Sequence, residues 1–120
     1  MRYAVCAKAE NWDVAFEIAA ALMKLKPDEP TVWLDLAYST RRKTGGSISA
    51  AMEILTQARE KFPDDKAIPY NLACYECQLG NFDRAKALLK GVFSGAGAKK
   101  FKLMARKDPD LEPLWKESSP

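Results

Sequence analysis

The residues of this chain whose types invite chemistry are its three cysteines, a glycine-rich stretch ahead of lysines, and a long basic run; histidine is absent. Cys74-Tyr75-Glu76-Cys77 has the C-x-x-C spacing of metal sites and redox dithiols. A structural zinc ion needs about four ligands, and only Cys6 remains besides this pair. A thioredoxin-like dithiol needs a β-α setting, and no segment here alternates with period two. The pair therefore reads as small apolar side chains packing on a helix, as free Cys commonly does, and neither a metal nor another cofactor is expected. Ser94-Gly95-Ala96-Gly97-Ala98-Lys99-Lys100 has glycines before lysines, as phosphate cradles do, but it lacks the G-x-x-x-x-G-K-[ST] pattern and a preceding strand. It reads as a hinge. Without histidine there is no ordinary Ser-His or Cys-His pair. The carboxylates Asp28, Glu29, Asp64 and Asp65 follow prolines in turns, where capping accounts for them. No catalytic residue is assigned, and the chain is not expected to be an enzyme.

The elements that must position these residues form a repeat. Asn11-Trp12-Asp13-Val14-Ala15, Ser47-Ile48-Ser49-Ala50-Ala51 and Asn81-Phe82-Asp83-Arg84-Ala85 each place a polar cap, a large apolar residue and, three places on, an alanine. Lys26-Pro27-Asp28 returns as Phe62-Pro63-Asp64, and Asp35-Leu36-Ala37-Tyr38 as Asn71-Leu72-Ala73-Cys74. Each unit reads as two helices. In the second, Thr44-Gly45-Gly46 breaks the chain. Ser47 then caps a helix whose apolar face holds Ile48, Ala51, Met52, Leu55, Ala58 and Phe62. In the third, Leu79-Gly80 breaks the chain and Asn81 caps a helix with Phe82, Ala85, Leu88, Leu89 and Val92 inside.

Ala15, Ala51 and Ala85 are 36 and then 34 residues apart, and paired helices of this period, with a glycine turn, an aromatic, an alanine and a closing proline, resemble the tetratricopeptide repeat. Tyr70-Asn71-Leu72-Ala73-Cys74-Tyr75 followed by Leu79-Gly80-Asn81-Phe82-Asp83-Arg84-Ala85 is the segment most similar to it. The expected fold is all-α: stacked antiparallel helix pairs in an α-solenoid of about three repeats (1–29, 30–65 and 66–97) within one domain of 120 residues. The first repeat lacks the start of its first helix, and the second carries extra residues in its Thr44–Ser47 turn. A C-terminal capping segment over 98–120 closes the array, with Phe101, Met104 and Ala105 inward, Lys99, Lys100, Lys102, Arg106 and Lys107 outward, and Leu111, Leu114 and Trp115 packing back. Ala15, Ala51 and Ala85 allow close helix approach, while Trp12, Ile48 and Phe82 fill gaps between units.

The resemblance implies a protein-binding module in which the first helix of each pair lines a concave groove. The matching residues are Leu34, Tyr38, Arg41 and Arg42 in the second unit and Tyr70, Cys74, Cys77 and Gln78 in the third. Offsets of four, seven and eight put each set on one helix face. Tyrosine offers rigid apolar area with a polar tip, and arginine forks onto carboxylates. The implied ligand is a peptide of acidic and apolar character, and the implied role an adaptor, scaffold or assembly factor. Arg41 and Arg42 also suit a solvated helix C-terminus. Two alternatives stand beside the groove. One is an anionic polymer such as nucleic acid on the run from Arg84 to Lys107, where eight basic residues occur with no acidic one; the run lacks the interleaved aromatics that stack on bases. The other is self-association, as a homo-oligomer, through apolar surface around Tyr3, Val5 and Trp12.

Bulk properties agree with these readings. Hydrophobic residues make up 48% and charged residues 29%, which fits a globular chain rather than a disordered one. No apolar run approaches the roughly 20 residues that cross a bilayer. Met1–Cys6 runs into Lys8, Glu10 and Asp13 without a secretory pattern. An odd number of cysteines and no export signal point to reduced thiols and a cytoplasmic location.

Overall fold

The computed structural model describes residues 6, 8–95 and 97–118. Residues 6 and 8 are helical. They are followed by α1 (Trp12–Leu25), α2 (Pro30–Arg42), α3 (Ile48–Lys61), α4 (Ala67–Gln78), α5 (Phe82–Val92), α6 (Ala98–Lys107), a 3-10 turn (Pro109–Leu111) and α7 (Glu112–Ser118). Among the described residues there is no strand, and the chain has the expected all-α helical-repeat fold. It divides into two compact units, Met1–Asp64 and Asp65–Pro120, at the boundary between the second and third repeats.

In the first unit, α2 packs on both α1 and α3. Ala15, Ala19, Ala37, Ala51 and Ala58 are fully buried with Leu55. Small side chains at these places let helix axes come within about 8–10 Å. Local chemistry sets the helix ends. The turn before α1 closes with Glu10 at φ 58° and the Asn11 N–H donating to the Cys6 carbonyl at 2.8 Å, a Schellman-type ending. Pro30 opens α2 where no N–H is required. The Ser47 hydroxyl accepts the Ala50 N–H at 3.1 Å to open α3. Trp33 ties the α1–α2 connection to the end of α3: its indole donates to the Pro27 carbonyl at 2.8 Å, and its ring meets Phe62 edge-on at 6.3 Å.

In the second unit, α4 packs on α5 and on the 3-10 turn. Every residue from Leu72 to Cys77 is buried, which is why this helix carries apolar residues all round rather than on one stripe. Gly80 adopts φ 84° and the Asn81 N–H donates to the Glu76 carbonyl at 2.9 Å. This is the same ending as at Glu10–Asn11, two repeats earlier. Asn81 stands at the N-cap of α5 without a side-chain bond. Thr40 and Glu76, related by the repeat, each bury one side-chain oxygen with no hydrogen-bond partner.

The capping segment departs from expectation at one position. Phe101 and Ala105 turn inward, whereas Met104 is 43% exposed. Residues four apart on a helix differ by about 40°, but 104 and 105 differ by about 100°. The inward stripe of α6 is too narrow to hold both. The expected outward lysines and arginines of α6 are all exposed. Asp108 caps the 3-10 turn, accepting the Asp110 N–H at 3.0 Å, and Leu111 and Leu114 behind it are fully buried. Tyr3 and Val5, offered as self-association surface, lie outside the described residues.

Candidate functional site

The two sets of expected groove residues meet different surroundings. On α4, Tyr70, Cys74 and Cys77 are buried in the core of the second unit together with Leu111 and Leu114. The Tyr70 hydroxyl donates to Asp108 Oδ2 at 2.8 Å, and the Cys74 Sγ lies 3.6 Å from the same oxygen. Gln78 is exposed and its amide donates to the Asp110 carbonyl at 2.8 Å. The structure thus places three of these four residues under the chain's own residues 108–114, not on an open groove wall. The reason is the C-terminal segment: its two leucines need an apolar bed, and this face of α4 provides it. Burial pushes the Tyr70 phenol and the Cys74 thiol well above their ordinary ranges, and the negative charge at Asp108 adds to both shifts. Both groups therefore stay protonated at neutral pH and serve as donors. The free thiols are buried, and among the described residues no group of His, Cys, Asp or Glu is arranged to hold a metal.

On α2, Tyr38 is 39% exposed, and Leu34, Arg41 and Arg42 are half-buried. The Arg42 guanidinium lies 3.6 Å from the Tyr38 ring centroid and 5.5 Å from that of Trp12. The two rings stand 5.3 Å apart at 59°. Arg42 Nη1 donates to the Tyr38 carbonyl at 3.3 Å. Cation–π contact and ring packing hold the cluster in one arrangement, while most of the five guanidinium N–H donors are left for other acceptors. Trp12, Arg42 and Thr44 also border a cavity of about 170 Å³.

The sequence marks Trp12 as a gap filler or self-association surface and gives Asp13 no role beyond the repeat motif. Both belong to this surface. The Thr44 backbone N–H donates to Asp13 Oδ1 at 2.7 Å and the Thr44 hydroxyl to Oδ2 at 2.8 Å. This pair fixes the start of α1 on the α2–α3 turn and so sets Trp12 against Tyr38. The signal was present in the spacing, since Asp13 is the acid of the first turn of α1, but its partner is 31 residues away. The two Thr44 bonds hold the Asp13 carboxyl below its ordinary value of 3.8. A depressed folded value means that its stabilisation is present above pH 3.8 and is lost as pH falls through the lower folded value. Urea unfolding of the native chain and Asp13→Asn is expected to show a deficit for the variant at neutral pH that closes below pH 3.8. A deficit independent of pH would assign the effect to shape rather than charge.

The two helix faces are equivalent by repeat. Leu34, Tyr38, Arg41 and Arg42 correspond in register to Tyr70, Cys74, Cys77 and Gln78. One face is covered by a segment of this chain with an acid at Asp108 and leucines at 111 and 114. The other presents an exposed tyrosine backed by arginines.

Comparison with known proteins agrees with the architecture. A tetratricopeptide repeat family model matches residues 45–94. The chain superimposes on the crystal structure of PcrH in complex with the chaperone binding region of PopD, with a TM-score of 0.71 and 20% identity over 98% of this chain and 88% of that one. A comparison with curated proteins returned no match. No described helix is long and apolar enough to cross a membrane. Residues 45–94 are thus similar to tetratricopeptide repeats, within a small chain whose fold is an all-α helical repeat.

Proposed function

We propose that this protein is a non-catalytic interaction module that holds an acidic, apolar segment of another protein on the exposed face of α2, as an adaptor or assembly factor would. Tyr38 and Leu34 supply apolar area, and Arg41 and Arg42 face the carboxylates. The observation that carries this reading is the occupancy of the equivalent α4 face by the chain's own Asp108–Trp115 segment. There, an acid accepts the Tyr70 hydroxyl bond while two leucines sink into the core. A face built on the same register, with arginines in place of Cys77 and Gln78, suits a segment of the same kind carrying more negative charge. The complex of PcrH with the chaperone binding region of PopD supports a peptide as the type of ligand for this fold.

The test uses a synthetic peptide copying residues 108–115, titrated against the full chain and against a Tyr38→Ala/Arg42→Ala variant. Removing an aromatic anchor and a charge contact is expected to weaken binding at least about tenfold. The variant should remain folded, because Tyr38 is exposed, Arg42 is half-buried, and each lost ring or cation–π contact costs about 1 kcal/mol; its unfolding curve checks this. Equal affinity for the two proteins would remove the α2 face as the site.

A further inference from the structure

The C-terminal part of the second unit carries a cavity that the α2 surface does not involve. Phe93, Lys102, Ala105, Arg106 and Trp115 line an open hollow of about 420 Å³, within the roughly 300–1,000 Å³ of ordinary binding clefts. Its floor is apolar: Ala105 is buried, and Phe93 and Trp115 are half-buried. The Trp115 indole N–H already donates to the Ala105 carbonyl at 3.1 Å, so the floor demands no polar partner for it. The rim is cationic. Lys102 and Arg106 are one turn apart on α6, share a face, and are exposed. Neither meets a carboxylate among residues 8–95 and 97–115.

An apolar hollow with two cations at its mouth selects a ligand that joins an apolar group to negative charge. The apolar group leaves water, and the carboxylates find charge-assisted donors. The surface also continues past the cavity. Lys99 lies about 60° round the helix from Lys102, and Leu103 about 60° from Arg106; Leu103 is 51% exposed. A cation and an apolar side chain beyond the rim suit a chain running along α6 better than a small molecule enclosed in the cavity. We infer that this cavity takes one large apolar side chain of an acidic peptide segment in a partner protein, whose neighbouring carboxylates are held by Lys102 and Arg106. The site shares no residue with the Tyr38–Arg42 face and stands independently of it.

The probe is a short acetylated peptide with a central phenylalanine flanked by glutamates. It is titrated into the full ¹⁵N-labelled chain while the Trp115 indole N–H resonance, assigned with Trp115→Phe, is followed. The proposal expects this resonance to move. It expects affinity to fall at least about tenfold in a Lys102→Glu/Arg106→Glu variant, and to be unchanged in Tyr38→Ala/Arg42→Ala. Both reversed residues are exposed, so the variant should keep its fold and its unfolding curve checks this. Control peptides with serine for phenylalanine, or glutamine for glutamate, should each bind at least about tenfold more weakly. The proposal is overturned if no shift appears up to about 1 mM peptide, or if the serine control binds as well as the probe. It is also overturned if a short DNA duplex moves the same resonance more strongly, with an affinity that collapses as salt rises, because the surface would then be a plain polyanion site.

Discussion

Leu114→Ala is expected to lower the stability of the second unit by about 3 kcal/mol, read from the urea dependence of helical circular dichroism. Leu114 and Leu111 are both 0% exposed, in one core cluster with Tyr70, Cys74 and Cys77. Truncating a buried leucine costs about 2–5 kcal/mol through lost transfer energy and the cavity left behind. Little can compensate here. The segment consists of a three-residue 3-10 turn and a seven-residue helix, and helices this short have no stability of their own in water. Two buried leucines, the half-buried Trp115 and hydrogen bonds such as those from Tyr70, Gln78 and Trp115 therefore hold it down. A second readout follows: when the segment lifts away, Cys74 loses both its cover and the neighbouring charge that raise its thiol pKa, so it should react faster with a thiol reagent. Leu103→Ala on the exposed side of α6 serves as the control and should change stability by no more than about 0.5 kcal/mol. A change of that small size at Leu114 would mean that the segment is not part of the core.

The same segment underlies the proposed division of the two repeat faces: it covers the α4 face, and on that reading the α2 face takes a partner. Residues 108–115 follow α6 directly, so their local concentration at α4 exceeds that of any free peptide. The α4 face answers one acid with a hydroxyl and a thiol and the rest with apolar burial. The α2 face offers two guanidinium groups instead. On the proposed reading, a segment with a single engaged acid suits the α4 face, and a more acidic one suits the α2 face. The repeat supplies the register twice, and on the proposed reading the residues at 77 and 78 against 41 and 42 set which segment each face suits.

Much of this was legible in the residues because the repeat is written in side-chain size. Ala15, Ala51 and Ala85 mark the tight helix crossings, and all three are fully buried. Ser47 and Pro63 mark the ends of α3, and Asp108-Pro109 marks the start of the final turn. What could not be read is which face of α4 the C-terminal segment would take. Register places Tyr70, Cys74 and Cys77 on the same face as Leu34, Tyr38 and Arg41, but register is blind to a competitor arriving from more than 30 residues away. The apolar character of those three residues was the available clue, since thiols rarely line an open surface. The Asp13–Thr44 tie was hidden for the same reason: a local rule explains an acid at a helix start, and nothing local names its distant partner. Glu76 gives no local sign of its place. Its charge suggests an exposed position, yet it is 6% exposed on a helix packed all round.

Gly46→Ala is expected to cost about 3 kcal/mol or more, and far more than Gly45→Ala next to it. Sequence treats the two as one glycine break, but the structure uses them for different purposes. Gly45 has φ +73° with nothing within 4 Å of an added Cβ. Alanine there meets only the penalty of the left-handed region, about 1–2 kcal/mol. At Gly46 a Cβ would fall 2.0 Å from the Thr40 carbonyl oxygen and 2.9 Å from that of Lys43. Both are backbone atoms, so no rotamer change relieves the overlap, and the last turn of α2 must move. Overpacking of this kind costs about 1–3 kcal/mol where side chains can adjust, and more where they cannot. Gly46 also donates its N–H to Lys43 at 2.9 Å, and Thr44 between them is held by Asp13, so the displacement would pass to Trp12, Tyr38 and Arg42. The comparison is made by urea midpoints of the two variants, followed by titration of the 108–115 peptide against whichever remains folded. A greater loss at Gly45 would mean that left-handed backbone, not close approach to α2, governs this turn. A Gly46→Ala protein that is less stable and also binds more weakly would tie the positioning of the α2 face to the absence of one methyl group.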